Sequence, residues 1–522
     1  MGARLLHSNS GALRTSTGIV VGLSCGDCLK TKTHIFERGW GAEDQIAMSH
    51  LITPDYGQQF LFPPALEDWV AKDHPVRFLR EFVDQCDLEA MKFEMPTAEA
   101  GRPVYDRSLL LKIWLYGYYF RIRSTRKLEA ACIDLVPLRW LCGLLVPDHN
   151  TLWRFWRDNK KPLRALFKQT VKLALNTGCV GLALQAVDGT KIPACASGYS
   201  GWSKKYMVKV LAALEATLEQ TEAKIVEENT AVNPPSVRLP ETLAQRDTLR
   251  EKIKEGLAQL AEEKRQHYHP VEPEARRMKV QDTNRYAYNA QAVADAKEGV
   301  IVACEATRQE ADAHQLVPMI EQAGENLQPA KTEKTVSVAD TGYGNGADVQ
   351  AAADKGLPVV VPPMGEKKEH PYATKYFSVN LPAQTATCPE KRVLDYQGQT
   401  TKKGQVVQRF RCHHQDCPVR AQCTKDPKGR QIEVWPHHAA VQAMRAQLKT
   451  EPAQKLFAQR CHIIEPCFAR IKQHDGFRRW TVWGLEGVQA QWALVCATLN
   501  LRILCKKWQL KQRPKPACNT AA

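Results

Sequence analysis

Two apolar runs of strand length, LALQAVDGTKI over Leu182–Ile192 and TVSVAD over Thr335–Asp340, each give out at an aspartate. Short apolar runs bounded by turn formers read as buried strands, and a strand end is where a sheet presents a carboxylate. Between them, Arg285–Thr307 holds two strand-like runs around the turn-rich Asp295–Gly299, a hairpin pattern. A helical run over Ala313–Ala323 leads to the second aspartate. Gly342, Gly344 and Gly346 then let the backbone turn into a helix over Val349–Ala353, followed by a buried strand at Leu357–Pro363. Strands alternating with helices restrict this part of the chain to an α/β domain.

The flanking segments are of other kinds. From Pro75 to Asn176 the spacing is helical: Val76, Leu79, Phe82 and Val83 recur on one face, as do Leu109, Ile113, Trp114 and Tyr118. This stretch is also basic and aromatic, with Arg121, Arg123, Arg126 and Lys127 directly after Trp114, Tyr116, Tyr118, Tyr119 and Phe120. PDHNTLWRFWR over Pro147–Arg157 predicts a helix capped by Asn150 or Thr151 and carrying Arg154 and Arg157. A helix-turn-helix DNA reader has this form, and so does an aromatic helical core with a solvated basic face.

Met207, Leu211, Leu214, Leu218 and Ile225, with Thr221 the polar seam position, predict one long helix. Leu249, Ile253, Leu257 and Leu260 predict a second, and Asn233–Pro235 is the turn of the hairpin they form. Cys388, Cys412, Cys417 and Cys423, with His413 and His414 among them, sit in a polar segment with little apparent core, where a tetrahedral zinc would add folding stability. A last helical region begins near Pro452. Its buried side is Ile463, Ile464, Cys467, Phe468 and Ile471, with Glu465 and Lys472 on nearly one face, and a second helix spans Gly487–Leu504.

The resulting division is a poorly ordered extension over 1–50, a helical domain over 51–178, an α/β domain over 179–505 and a basic tail over 506–522. The α/β domain is interrupted by the helical hairpin at about 200–275 and the cysteine-rich loop at about 380–430. Met48 is a plausible second start, and the isolated Cys25/Cys28 pair lacks the partner pair a zinc site needs.

With 44% hydrophobic and 25% charged residues, the 522-residue chain is expected to fold into about three units at roughly 150 residues each. Lys and Arg number 72 against 56 Asp and Glu, a net charge of +16, which favours a polyanionic partner. No apolar run approaches the roughly 18–20 residues that span a bilayer, so no membrane partner is expected. The 17 cysteines are scattered, several within apolar helices, as suits free thiols in a reducing cytoplasm.

Two strand-borne aspartates and a helix-borne glutamate, Asp188, Asp340 and Glu465, are the ligand types a two-metal phosphoryl-transfer site needs. Hard cations such as Mg2+ or Mn2+ take carboxylate oxygens, and two of them about 3.5–4 Å apart serve the attacking and leaving oxygens of an in-line displacement. The chain resembles the DDE transposases of bacterial insertion sequences, which join a helical N-terminal domain to a ribonuclease H-like core. The motifs that carry the resemblance are VDGTKI around Asp188, YNAQ at Tyr288–Gln291, VADTGYGN around Asp340 and IIEPCFARIK at Ile463–Lys472, with PDHNTLWRFWR and CHHQDCPVRAQCT.

The resemblance implies that Asp188, Asp340 and Glu465 hold Mg2+ or Mn2+ and that Lys472, with Arg460 beside it, meets the DNA end. It implies double-stranded DNA as partner, at terminal inverted repeats and at the target. It implies a homo-oligomer in the DNA complex and a cytoplasmic, nucleoid-associated bacterial setting. The family's Tyr and Arg, seven and four residues before the glutamate, fall on Ala458 and Cys461 here, with Arg460 one place off register. Rival readings are a catalytically inactive, transposase-derived DNA-binding regulator and a nuclease with the same core. His314 and Asp312 in EADAHQ read as a helix start.

Overall fold

The computed structural model describes residues 65–94, 104–229, 241–330, 332–364, 370–402 and 404–512. The expected extension over 1–50 with Cys25, Cys28 and Met48, the Asn233–Pro235 turn, the side chains of Thr221 and Ile225, and the tail beyond 512 lie outside the described residues.

Helices come first: α1 (Pro75–Asp84), α2 (Arg107–Tyr119), α3 (Thr125–Asp134), α4 (Val136–Cys142), α5 (His149–Asp158) and α6 (Lys160–Asn176). The expected apolar faces are buried, Val76, Leu79, Phe82 and Val83 on α1 and Ile113, Trp114 and Tyr118 on α2. Trp114 satisfies its indole N–H by donating to Leu152 O at 3.1 Å. The cap of α5 is Asp148, not Asn150 or Thr151. Its carboxylate accepts from both of those backbone N–H groups, so the helix starts earlier than expected.

The chain then forms β1 (Leu184–Pro193), β2 (Trp202–Ser203), α7 (Lys204–Asn229), α8 (Glu241–Glu262), β3 (His267–Tyr268), β4 (Arg276–Val280), β5 (Thr283–Asp295) and β6 (Ile301–Thr307). It continues through α9 (Leu316–Leu327), β7 (Val336–Ala339), α10 (Gly346–Asp354) and β8 (Val359–Val360). β1 lies between an antiparallel neighbour, β5, and a parallel one, β7. β8 extends the sheet parallel to β7, while β6 and β4 share the outer edge of β5. The order is therefore β6-β5-β1-β7-β8, mixed in direction, and the domain is α/β as expected.

α7 and α8 leave this sheet as a pair, with buried Met207, Ile253 and Leu260 along their seam, and the β2–β3 ladder closes its base. The cysteine-rich segment is not the loop expected from its composition. It forms β9 (Ser378–Asn380), β10 (Thr385–Thr387), β11 (Val393–Lys402), β12 (Gln405–Arg411), a short α11 (Arg420–Cys423) and β13 (Gln431–Val434), a five-stranded antiparallel sheet. Tyr372, Phe377, Ala386, Leu394, Phe410, Ile432 and Val434 give it a core of its own. The strands are short and only alternate residues turn inward, so the apolar signal is diluted by the polar face.

The last helices are α12 (His438–Leu448), α13 (Glu451–Ala458), α14 (Arg460–Ala469) and α15 (Leu485–Gln512), so this region begins before Pro452. α15 carries on through Lys506, Lys507 and Lys511, which were expected in a separate tail. Contrary to the expectation that no apolar run approaches bilayer length, α15 is long and apolar enough by composition to cross a membrane, and 83% of its apolar window is buried inside the protein. A helix apolar on all sides suits such a position, and α15 packs against α6, β6 and α2. Buried Asn500 ties this packing together, since its side chain accepts from Ile301 N–H and donates to Ile301 O, both at 2.8 Å, and donates to Thr170 Oγ1 at 3.2 Å. The helical segment and the large sheet thus share one hydrophobic core.

Candidate functional site

The parallel pairing of β1 with β7 runs from Leu184 opposite Val336 to Val187 opposite Ala339. The next residue on each side is an aspartate, Asp188 and Asp340. β1 does not stop at Asp188, as the sequence suggested, but continues to Pro193, because β5 still pairs with it after β7 has ended. The Asp188 carboxyl is pushed up to about 6, mainly by burial; Asp340 and Asp312 push the same way, whereas the backbone N–H of Gly189, which donates at 2.7 Å, and Arg460 oppose the rise. Asp340 accepts from Gly342 N–H at 2.8 Å, which holds the tight turn Thr341–Tyr343 beyond the strand.

The sequence around Asp312 predicts a helix start, but α9 begins at Leu316 and Asp312 lies in the loop before it, beside both aspartates. Its Oδ1 accepts from Asn289 Nδ2 and from Gln291 Nε2, each at 2.8 Å. Those two amides are fully buried, two residues apart on β5 and hence on one face. Gln291 Oε1 in turn accepts from the Tyr343 hydroxyl, in the turn after Asp340. The YNAQ motif alone does not show a role for these side chains. Two amides on one face of a buried strand were the available signal, since buried polar groups find partners.

α14 brings in the third carboxylate. Arg460 is mostly buried, with Nη1 3.1 Å from Asp188 Oδ2 and Nη2 3.6 Å from Glu465 Oε1. Glu465 itself is exposed, and Ile463, Ile464, Cys467 and Phe468 anchor the helix beside it. After Ala469 the helix widens into a π turn over Arg470–His474, so Glu465 and Lys472 do not keep the simple seven-residue register expected of them. Lys472 is half-buried. Burial lowers its ammonium pKa, and nearby Asp188 opposes that fall.

Of the other basic residues expected at DNA, Arg126, Arg154 and Arg157 are exposed on α3 and α5, and Arg157 pairs with Asp158 at 2.6 Å. Arg123 is turned inward, donating to Asp475 O with its guanidinium 5.2 Å over the Phe477 ring.

Among the described residues no group of three or more His, Cys, Asp or Glu is placed to hold a metal ion. The donor chemistry at Asp188 and Asp340 fits a hard divalent cation: neighbouring carboxylates in a half-buried setting, with negative charge that Arg460 only partly offsets. Cys388, Cys412, Cys417 and Cys423, the possible zinc ligands, come near one another beside the small sheet. Cys388, Cys412 and Cys423 pack against the small sheet's core, Arg392 N–H donates to Cys388 Sγ at 3.3 Å, and burial, with the other three thiols adding, pushes the Cys423 thiol up. The premise for zinc, a segment with little core, does not hold for this sheet.

Residues 387–505 match a family described as "Transposase DDE domain", and residues 64–158 match one described as "Transposase domain (DUF772)". The first match includes Glu465 and begins after Asp188 and Asp340. No curated protein matches the chain significantly.

Proposed function

Because the chain belongs to the DDE transposases of insertion-sequence type, whose function is transposition, we propose that it cleaves DNA at the element's ends and joins the freed ends to target DNA. The carrying observation is the convergence of Asp188, Asp340 and Glu465: two neighbours on adjacent parallel strands, the third linked to Asp188 through Arg460. The strand order β6-β5-β1-β7-β8, with β1 parallel to β7, supports a ribonuclease H-like core.

In this reading the three carboxylates hold Mg2+ or Mn2+, which supplies Lewis acidity toward the phosphodiester and toward the attacking oxygen in both steps. The strands fix the separation of Asp188 and Asp340. α14, packed against β1 and β5, delivers Glu465, and Lys472 sets a cation beside Asp188 for the DNA phosphate. Arg126, Arg154 and Arg157 on the helical segment present an exposed basic face to the duplex, with Arg123 and Arg460 holding the protein side. The DNA ligands are the terminal inverted repeats and the target, bound by a homo-oligomer.

A second reading, a DNA-binding regulator without catalysis, is favoured by one observation: Arg460 already pairs with both Asp188 and Glu465, where a metal would sit. The two are separated by incubating the protein with DNA bearing the inverted repeats that flank its gene, in Mg2+, in Mn2+ and in chelator. Metal-dependent nicking with joined product supports the transposase reading. Binding without nicking supports the regulator, and nicking that never yields joined product supports a nuclease.

A further inference from the structure

We infer that Asp312 is a positioning residue of this site, fixing the turn that carries Asp340 and adding its charge to the field that a divalent cation meets. The inference rests on the reading of Asp188 and Asp340 as metal ligands.

One oxygen of Asp312 takes both β5 amides, and Gln291 relays that contact to Tyr343. Tyr343 is fully buried and lies three residues after Asp340. A continuous chain of hydrogen bonds therefore crosses from β5 to the turn beyond β7, bracketing the strand that bears Asp188. Side chains locked in this way hold ligands to a fraction of an ångström.

The chain backbone makes room for Asp312 at Gly189, and for the Asp340 carboxylate at Gly342. A β-carbon at Gly189 would lie 2.8 Å from Asp312 Oδ1 and 2.3 Å from Gln291 Nε2. One at Gly342 would lie 2.9 Å from Asp340 Oδ1 and 3.4 Å from Asp312 Oδ2. Asp312 thus faces the residue after Asp188 with one oxygen, and its second oxygen is on the Asp340 side.

The loop is held against recoil. His314 N–H donates to Asp348 Oδ2 at 2.6 Å, and His314 takes a left-handed backbone with φ of 66° that a non-glycine residue rarely adopts without such support. Asn289 Oδ1, buried beside Asp312, has no hydrogen-bond donor among the described residues. The two amide donors and the His314 backbone tie therefore keep the Asp312 carboxylate in place.

The test is Mn2+ binding by the DNA-free protein, read as loss of the free-ion electron paramagnetic resonance signal, in wild type, D188A, D340A, D312N and D312A. D312N keeps the acceptor oxygen and removes the charge; D312A removes both. Outer-shell partners of metal ligands typically contribute about 10–100-fold in affinity, so D312N is expected to bind about 10-fold and D312A about 100-fold more weakly. Cleavage should need correspondingly more metal and recover its rate at saturation in D312N, whereas a merely structural defect would lower the saturated rate as well.

Wild-type Mn2+ affinity in D312N, with D188A and D340A impaired, overturns the role of Asp312 and leaves the site reading intact. Wild-type affinity in D188A and D340A instead overturns the site reading itself. Circular dichroism checks the fold of each variant, and the near-isosteric D312N decides alone if D312A does not fold.

Discussion

Arg460 Nη1 stands 3.1 Å from Asp188 Oδ2, and the same guanidinium reaches Glu465, so one cation spans a strand carboxylate and a helix carboxylate from distant parts of the chain. The guanidinium sits on the groups expected to bind metal, and its removal should make the protein depend on added cation. Arg460→Gln is expected to lose about 1–2 kcal/mol of stability in chelator. This is discounted from the roughly 3–5 kcal/mol of a fully buried pair because both side chains keep some exposure. Thermal melts with and without Mn2+ check this, the deficit closing when metal is present. An equal deficit in both conditions would show that Arg460 acts only as a structural tie.

Gly189 follows Asp188 and faces the Gln291–Asp312 contact. Gly189→Ala would press a methyl into Gln291 Nε2, so the amide lock must shift, at about 1–3 kcal/mol. Cleavage is expected to fall far more than DNA binding, measured by gel shift on the same duplex. Gly344→Ala should instead cost global stability, because its β-carbon would lie 2.0 Å from the backbone oxygen of Pro362 and neither partner is a flexible side-chain end.

Asp475 ends the π turn that carries Lys472. Its carboxylate is buried, 3.2 Å from Arg502 Nη2 and 2.8 Å from His474 Nδ1, and the Arg502 guanidinium lies 4.5 Å over the Tyr119 ring. Asp475→Ala leaves Arg502 buried without its counter-charge and is expected to destabilise by about 3 kcal/mol. Denaturant titration checks the size, and Asp475→Asn, which keeps an acceptor, should fall between.

Asn500 joins α15 to β6 and α6. Asn500→Leu leaves both Ile301 backbone groups unsatisfied in a dry interior, for an expected loss of about 3 kcal/mol. The midpoint of urea unfolding should drop while Mn2+ affinity at low temperature stays at the wild-type value.

Asp340 was legible in the sequence because TVSVAD is an apolar run that ends where the strand ends. Asp188 was legible as a residue but not in its setting: whether β1 stops or continues depends on β5, a partner about a hundred positions away. Glu465 stood out on a helix with a clear apolar side, yet its link to Asp188 through Arg460 is a tertiary contact that spacing cannot show. Asp312 was passed over because it lies in an irregular loop, where no periodicity marks a side chain as inward. The small sheet was missed for a related reason, since Leu394, Phe410 and Ile432 are single inward residues among polar neighbours. α15 looked like a helix with a basic tail, but Lys506, Lys507 and Lys511 simply occupy the last turns of a helix whose earlier turns are buried.

The central claim is that Asp188, Asp340 and Glu465 act as one metal-holding set in DNA cleavage. Its most direct test compares wild type with D188A, D340A and E465A on DNA bearing the flanking inverted repeats, at saturating Mg2+ and with DNA affinity measured in parallel. Each variant is expected to bind that DNA within a few-fold of wild type and to lose cleavage by about 10³-fold or more, as removal of a group acting directly on the transition state does. Cleavage by all three variants at the wild-type rate would contradict the assignment.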